Sequence, residues 1–146
     1  MLSLRSRGQL KNKSVMPDNF GQHQTRLIEH LEALLPDYSH PLHDVATHHF
    51  SNPGKLLRGT TAMACAEAMD VSATAAIQWA LAVELMHNAS LVHDDLCDGD
   101  EVRRNQMTVW KLFNAQQAIC LGDWLVGKSF EMAALAAQSS AMTSMD

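Results

Sequence analysis

Aromatic residues, long apolar runs and paired cysteines are all scarce in this chain. Aromatic residues are 5% of the 146 residues although 47% are apolar, so the apolar content comes mainly from Ala, Leu and Met, which favour helices over strands. The three cysteines, Cys65, Cys97 and Cys120, form no Cys-x-x-Cys pair, which argues against a disulfide framework and a structural zinc site. We therefore expect one all-α domain in a reducing, cytoplasmic setting.

The charge distribution excludes two further classes of protein. A net charge of -5 argues against a general nucleic-acid binder, because such a domain normally carries a basic face. No membrane span is expected, because the longest apolar candidate, residues 62–86, is interrupted by Glu67, Asp70 and Glu84. Residues 1–20 begin with basic charges only and lack a convincing apolar face, so we expect a flexible basic tail rather than a transit peptide.

Apolar residues recur at helical spacing, and breakers such as Asn52-Pro53-Gly54 separate the segments. We predict helices over residues 22–35, 41–50, 55–69, 73–96, 108–115 and 118–138. Ser72 and Thr108 are predicted N-caps. No strand is predicted, and His43, His48 and His49 are expected at the surface.

Five carboxylates stand together at the end of the fourth predicted helix: Asp94, Asp95, Asp98, Asp100 and Glu101. Asp94 and Asp98 are one turn apart on one face, where they repel unless a cation lies between them. Mg²⁺ takes oxygen ligands, one or two of them carboxylates, together with water and substrate phosphates. The cluster therefore indicates a metal-dependent diphosphate site, although acid-rich helix ends are also common as solvated surface.

Basic residues flank this cluster along the sequence. Lys55 and Arg58 are predicted on the first turn of a helix, where free N–H groups already favour an anion. His87 lies two turns before Asp94 on the same face, and Arg103 and Arg104 follow the acids. Arginine forks match phosphate oxygens well, so these residues favour binding of a second phosphate group.

In this order, the motifs resemble the trans-prenyl diphosphate synthases, which are all-α antiparallel helical bundles of the isoprenoid synthase type. The resemblance rests on Gly54-Lys55-x-x-Arg58, Glu84-Leu-Met-His87, Asp94-Asp95-x-x-Asp98, Arg103-Arg104, Thr108-Val-Trp110 and Gly122-Asp123. It covers residues 21–146, which match the N-terminal half of such a domain. It departs from the family pattern at Pro53, where glycine is usual, and at Asn105, where glycine generally follows the arginine pair.

The resemblance implies a role for each motif residue. Asp94, Asp95 and Asp98 would hold Mg²⁺ bound to an allylic diphosphate, which Arg103 would also contact. Isopentenyl diphosphate would be bound by a basic set: Lys55, Arg58, His87 and Arg104. The implied reaction is Mg²⁺-dependent condensation of these two substrates to a polyprenyl diphosphate.

Product length is expected to depend on Ala89 and Ser90, one turn before Asp94. In the family, bulky aromatic residues at these positions stop chain growth early, so two small residues favour a medium or long product. We expect Ala89→Phe to shorten it.

Family members are usually much longer and carry a second Asp-rich motif, which this sequence does not contain after Asp123. Three interpretations stay open: an incomplete prenyltransferase, one subunit of a split synthase whose partner supplies the missing half, and a noncatalytic diphosphate-binding subunit. A class I terpene cyclase fragment is disfavoured, because a cyclase has no use for Lys55, Arg58 and His87 as an isopentenyl diphosphate site. The family resemblance implies a homodimer.

Overall fold

A computed structural model describes residues 19–143, so nearly all of the predicted basic tail lies outside the described residues. Within that range the chain forms six helices: α1 Phe20–Leu34, α2 His43–Phe50, α3 Leu57–Ala68, α4 Ala73–Asp98, α5 Val109–Leu112 and α6 Ala115–Thr143. The all-α prediction is confirmed. None of these helices has the length and apolar character needed to cross a membrane.

The prediction that no strand occurs is wrong at one place. β1, Val102–Arg103, pairs antiparallel with β2, Gln106–Met107, in a hairpin between α4 and α5. Arg104 and Asn105 form its two-residue turn with φ of 50° and 62°. Positive φ at both central residues is the requirement of the tight hairpin turn, and asparagine tolerates it better than most residues.

The longest helices, α4 and α6, pack against each other and run antiparallel. Ser129 Oγ donates a hydrogen bond to the Ala82 carbonyl at 2.7 Å. Further along α6, Ser139 Oγ donates to Gln78 Oε1 at 2.8 Å, earlier on α4. Fully buried leucines such as Leu125 fill the space around this pair, so α4 has one side fixed by α6.

The opposite side of α4 is covered by α3 and α1, which meet at Gly59. A Cβ at Gly59 would overlap the Leu27 side chain and would lie 2.7 Å from Glu84 Cγ. The buried Glu84 carboxylate accepts a hydrogen bond from the Gly59 backbone N–H at 2.8 Å. Only glycine leaves room for this contact, which brings the start of α3 directly against α4.

Two cap predictions have different outcomes. Ser72 caps α4 as predicted, since its Oγ accepts a hydrogen bond from the Ala75 N–H at 3.2 Å. Thr108 stands at the N-cap position of α5 without a side-chain cap bond, and its hydroxyl donates instead to the Asp100 carbonyl at 2.7 Å. The threonine side chain therefore joins the start of α5 to the loop after α4 instead of capping α5.

The start of α3 also differs from the prediction. Leu56 is buried in the left-handed region with φ of 46°, and the helix begins only at Leu57. Lys55 consequently precedes the helix instead of occupying its first turn. The left-handed region is unfavourable for a leucine, and Leu56 adopts it at the point where the chain turns from the Pro53-Gly54 loop into α3.

The surface prediction is wrong for His49, whose side chain is buried on the face of α2 that carries Val45 and Phe50. His49 Nε2 lies 2.9 Å from Asn88 Oδ1 on α4. Asn88, also buried, donates through Nδ2 to the Glu84 carbonyl at 2.8 Å. Burial lowers the pKa of His49 to about 4, so the ring is neutral at pH 7 and is held as a hydrogen-bond donor to Asn88.

Candidate active site

The acidic end of α4 separates into exposed and buried carboxylates. Asp94 and Asp98 are exposed, whereas the side chain of Asp95 is 4% exposed and faces Arg103. Arg103 Nη2 lies 2.6 Å from Asp95 Oδ1, and Arg103 Nε donates to the same carboxylate at 2.8 and 3.0 Å. This pairing raises the pKa of Arg103. In this arrangement Asp95 fixes an arginine, and Asp94 and Asp98 face solvent.

The two exposed carboxylates fit the donor set of Mg²⁺. They are one helical turn apart, and no hydrogen bond or ion pair among residues 19–143 engages the carboxylate of Asp94 or Asp98. In the same residues, no three His, Cys, Asp or Glu side chains come together as a complete metal cage. Two carboxylates suffice for Mg²⁺, which fills its other positions with water and phosphate oxygens.

His93 fixes the position of this helix end against α6. Its ring packs against Gly122, where any Cβ would overlap the ring. His93 Nε2 is 3.4 Å from the Ile119 carbonyl and 3.7 Å from Asp123 Oδ1. The Gly122-Asp123 pair of the sequence therefore supports the residue immediately before Asp94.

A basic cluster lies where α3 faces α4. Arg58 Nη1 is 3.0 Å from His87 Nε2, so the predicted partners do meet. Partial burial, and next the charge of Arg58, lower the pKa of His87, and a neutral ring accepts the hydrogen bond that the guanidinium donates. Lys55 is exposed on the preceding loop, where its carbonyl accepts a hydrogen bond from Gln24 at 3.1 Å.

Arg104 extends this cluster from the hairpin. A Cβ at Gly54 would lie 2.9 Å from both Cζ and Nε of Arg104, so glycine lets the guanidinium rest on the loop that carries Lys55. Arg104 Nη1 donates to the Asn52 carbonyl at 3.0 Å. Burial, and next the charge of Arg103, lower the pKa of Arg104, although arginine keeps its charge in proteins.

Ser90 is exposed on α4, one turn before the acids. One turn further from the acids, an apolar groove lies between α4 and α6, lined by Trp79, Val83, Met86 and Phe130. Its volume is about 310 Å³. Ala89 is 1% exposed and belongs to the core, so of the two predicted chain-length residues only Ser90 lies at an open surface.

The sequence prediction missed the residues that support the arginines. Asn52 donates a hydrogen bond to the hairpin turn, Gln106 on β2 donates to the last turn of α2, and Glu84 is buried beneath the basic cluster. In the sequence, Asn52 is recognisable only as part of the helix breaker Asn52-Pro53-Gly54. Gln106 is not recognisable, because its partners lie far away in the sequence.

Fold and site together define the class of protein: an isoprenoid synthase fold with an Asp-rich helix end beside a basic cluster. In the solved structure of geranylgeranyl pyrophosphate synthetase from the archaeon Geoglobus acetivorans, the same fold is matched with a TM-score of 0.73 and 36% identity, covering 79% of this chain and 38% of that one.

The polyprenyl synthetase family model matches residues 39–146. The chain belongs to the polyprenyl synthetase family. It is 40% identical over 105 residues to the geranylgeranyl pyrophosphate synthase of Geoglobus acetivorans, covering 71% of this chain and 33% of that protein. It is 43% identical over 82 residues to a (2E,6E)-farnesyl diphosphate synthase of Mycobacterium tuberculosis, covering 56% of this chain and 23% of that protein. The chain thus spans about a third or less of the length of these relatives.

Proposed function

We propose that this chain supplies the substrate-binding half-site of a prenyltransferase that condenses isopentenyl diphosphate with an allylic diphosphate. The observation that carries the proposal is the contact of Arg58 with His87 on the same helix that ends in exposed Asp94 and Asp98. α4 therefore carries His87 of the basic cluster and also the acidic end. The hairpin with Arg103 and Arg104, here called the arginine hairpin, lies beside both. The reaction is that of a full family domain, and the relatives named above support it.

The basic cluster is suited to the diphosphate of isopentenyl diphosphate. Lys55, Arg58 and Arg104 supply three cations, and neutral His87 orients the guanidinium of Arg58. Buried Glu84 lies under this cluster with its carboxylate already bound to a backbone N–H, so it offsets part of the positive charge. Bidentate arginine contacts would hold the substrate's charged end in a fixed orientation.

Asp94 and Asp98 would hold Mg²⁺, which when bound neutralises negative charge on a diphosphate leaving group. Arg103, fixed by Asp95, would donate to the same diphosphate through the N–H groups that Asp95 does not use. The allylic C–O bond breaks as its electron pair leaves with the diphosphate. The double bond of isopentenyl diphosphate then attacks the carbocation, a C–C bond forms, and a proton is lost.

Product length is proposed to depend on Ser90 and the groove below it. Ser90→Phe would place a ring between the acidic end and the groove, and we expect it to shorten the product. Ala89→Phe would overpack the core by about 1–3 kcal/mol, so its effect on product length would be mixed with loss of stability. Ser90 is therefore the cleaner position for the test.

The first experiment measures binding of inorganic diphosphate by isothermal titration calorimetry, with and without Mg²⁺. We expect Mg²⁺ to tighten binding, and Asp94→Asn with Asp98→Asn to remove that gain. Asp44→Asn, an exposed acid on α2, is the matched control and should retain it. Arg58→Met should weaken binding in both conditions. Absence of binding, or binding indifferent to Mg²⁺ and to the aspartates, would contradict the proposal.

The second experiment measures incorporation of labelled isopentenyl diphosphate into polyprenyl products with farnesyl diphosphate as starter. Product from the chain alone would mean that copies of the chain complete the site, as a homodimer. Diphosphate binding without product would mean that a partner subunit must supply the rest of the domain, or that the chain is a noncatalytic diphosphate-binding subunit.

A further inference from the structure

Gln106 on β2 connects the arginine hairpin to the last turn of α2. Its Nε2 donates to the carbonyls of His48 and His49 at 3.2 and 3.4 Å, and its Oε1 accepts from Ser51 Oγ at 3.0 Å. Carbonyls in the last turn of a helix have no partner within the helix. The half-buried side chain of Gln106 therefore fixes β2 of the hairpin against the end of α2.

A second set of bonds joins the same two elements beside Gln106. Asn52 Nδ2 donates to the Arg104 carbonyl at 3.1 Å, and Arg104 Nη1 returns a bond to the Asn52 carbonyl at 3.0 Å. His48 Nε2 is 2.7 Å from the Met107 carbonyl. The end of α2 and the segment after it thus contact β2 and the turn of the hairpin.

The other side of the hairpin is tied to α4 through the Arg103–Asp95 pair and to the loop that follows α4. Thr108 Oγ1 and Trp110 Nε1 both donate to the Asp100 carbonyl, at 2.7 and 2.8 Å. Because α4 holds β1, the contacts with the end of α2 determine the orientation of β2 and of the turn. A two-residue strand pair has little stability of its own, so these external bonds decide where Arg104 points.

We propose that Gln106 and Asn52 are positioning residues that set the direction of the Arg104 guanidinium toward diphosphate. This inference rests on the function proposed above. Neither side chain is a ligand in it, and both act only through Arg104. Loss of either leaves the charge of Arg104 in place but its orientation unfixed.

The test is a double-mutant cycle on diphosphate affinity, using the full chain and inorganic diphosphate. Gln106→Leu alone should weaken binding roughly three- to tenfold, the range expected for one or two hydrogen bonds. In the Arg104→Ala background, Gln106→Leu should have no further effect. A residue that only stabilises the fold would weaken binding equally in both backgrounds. Gln138→Leu, an exposed position on α6, is the control and should bind as the parent does.

Asn52→Ala is the second variant, and it decides the question if Gln106→Leu loses its helical circular dichroism. It should also be without effect when Arg104 is absent. Unchanged affinity in the folded variants, or additive losses with Arg104→Ala, would overturn the positioning role while leaving the proposed function intact. A parent chain that binds no diphosphate would overturn both.

Discussion

Buried His49 on α2 allows a quantitative prediction of how the free energy of unfolding changes with pH. His49 has a pKa of about 4 in the folded chain because burial disfavours its charged form, against an ordinary value of 6.5. Between these values the unfolded chain binds a proton that the folded chain does not. Stability is therefore fully present above about pH 6.5 and is lost as the pH falls toward 4.

The size of the loss follows from the same two pKa values. Each pH unit of difference corresponds to about 1.4 kcal/mol, so complete protonation costs about 3 kcal/mol. Between pH 7 and pH 4.5 the expected loss from His49 alone is about 2 kcal/mol. That is a large fraction of the 5–15 kcal/mol that typically separates a folded domain from its unfolded state.

The assay is urea unfolding followed by circular dichroism between pH 7 and pH 4.5, on the parent chain and on His49→Gln. A glutamine amide donates to Asn88 as the ring Nε2 does, but it does not titrate. The free energy of unfolding should therefore fall less steeply in His49→Gln, by about 2 kcal/mol over the range. Thr47→Gln, exposed on the same helix, should follow the parent. Parallel profiles for the parent and His49→Gln would refute the reasoning.

Two further predictions concern stability at pH 7, measured by the same urea titration. Gly59→Ala should destabilise by about 1–3 kcal/mol because its methyl group would overlap side chains of α1 and α4, whereas Gly127→Ala, with open space at its Cβ, should stabilise α6 by up to about 1 kcal/mol. Equal effects at the two glycines would contradict the packing at Gly59. Asp95→Asn should cost about 1–3 kcal/mol through loss of the Arg103 pair, and exposed Asp94→Asn should change stability by less than about 0.5 kcal/mol. A larger loss of stability in Asp94→Asn than in Asp95→Asn would contradict the pairing of Arg103 with Asp95.

Features that depend on neighbouring residues could be predicted from the sequence. The Ser72 cap needs only the first turn of α4, and the acidic end of that helix follows from spacing along it. The meeting of Arg58 with His87 came from the family resemblance, and the structure shows the contact. For the proposed metal ligands, the sequence treats Asp94 and Asp95 alike, because spacing along one helix does not reveal which carboxylate an arginine outside it will bury.

Features decided between distant segments could not be predicted. His49 is buried because α4 supplies Asn88 as its partner, and nothing in α2 alone indicates that partner. The hairpin has strands of two residues, too short to show a strand period, and Gln106 finds its acceptors on α2. Lys55 is outside α3 because Leu56 adopts a left-handed conformation, which residue preferences disfavour.

The contact between His93 and Gly122 links the position of the acidic site to the distance between two helices. The ring occupies the space between the end of α4 and the bare backbone of α6, where no side chain at position 122 would fit. Asp94 follows His93 directly and takes its position from the same contact. A methyl group at position 122 would push the two long helices apart and displace Asp94, which is proposed to hold Mg²⁺ and a diphosphate.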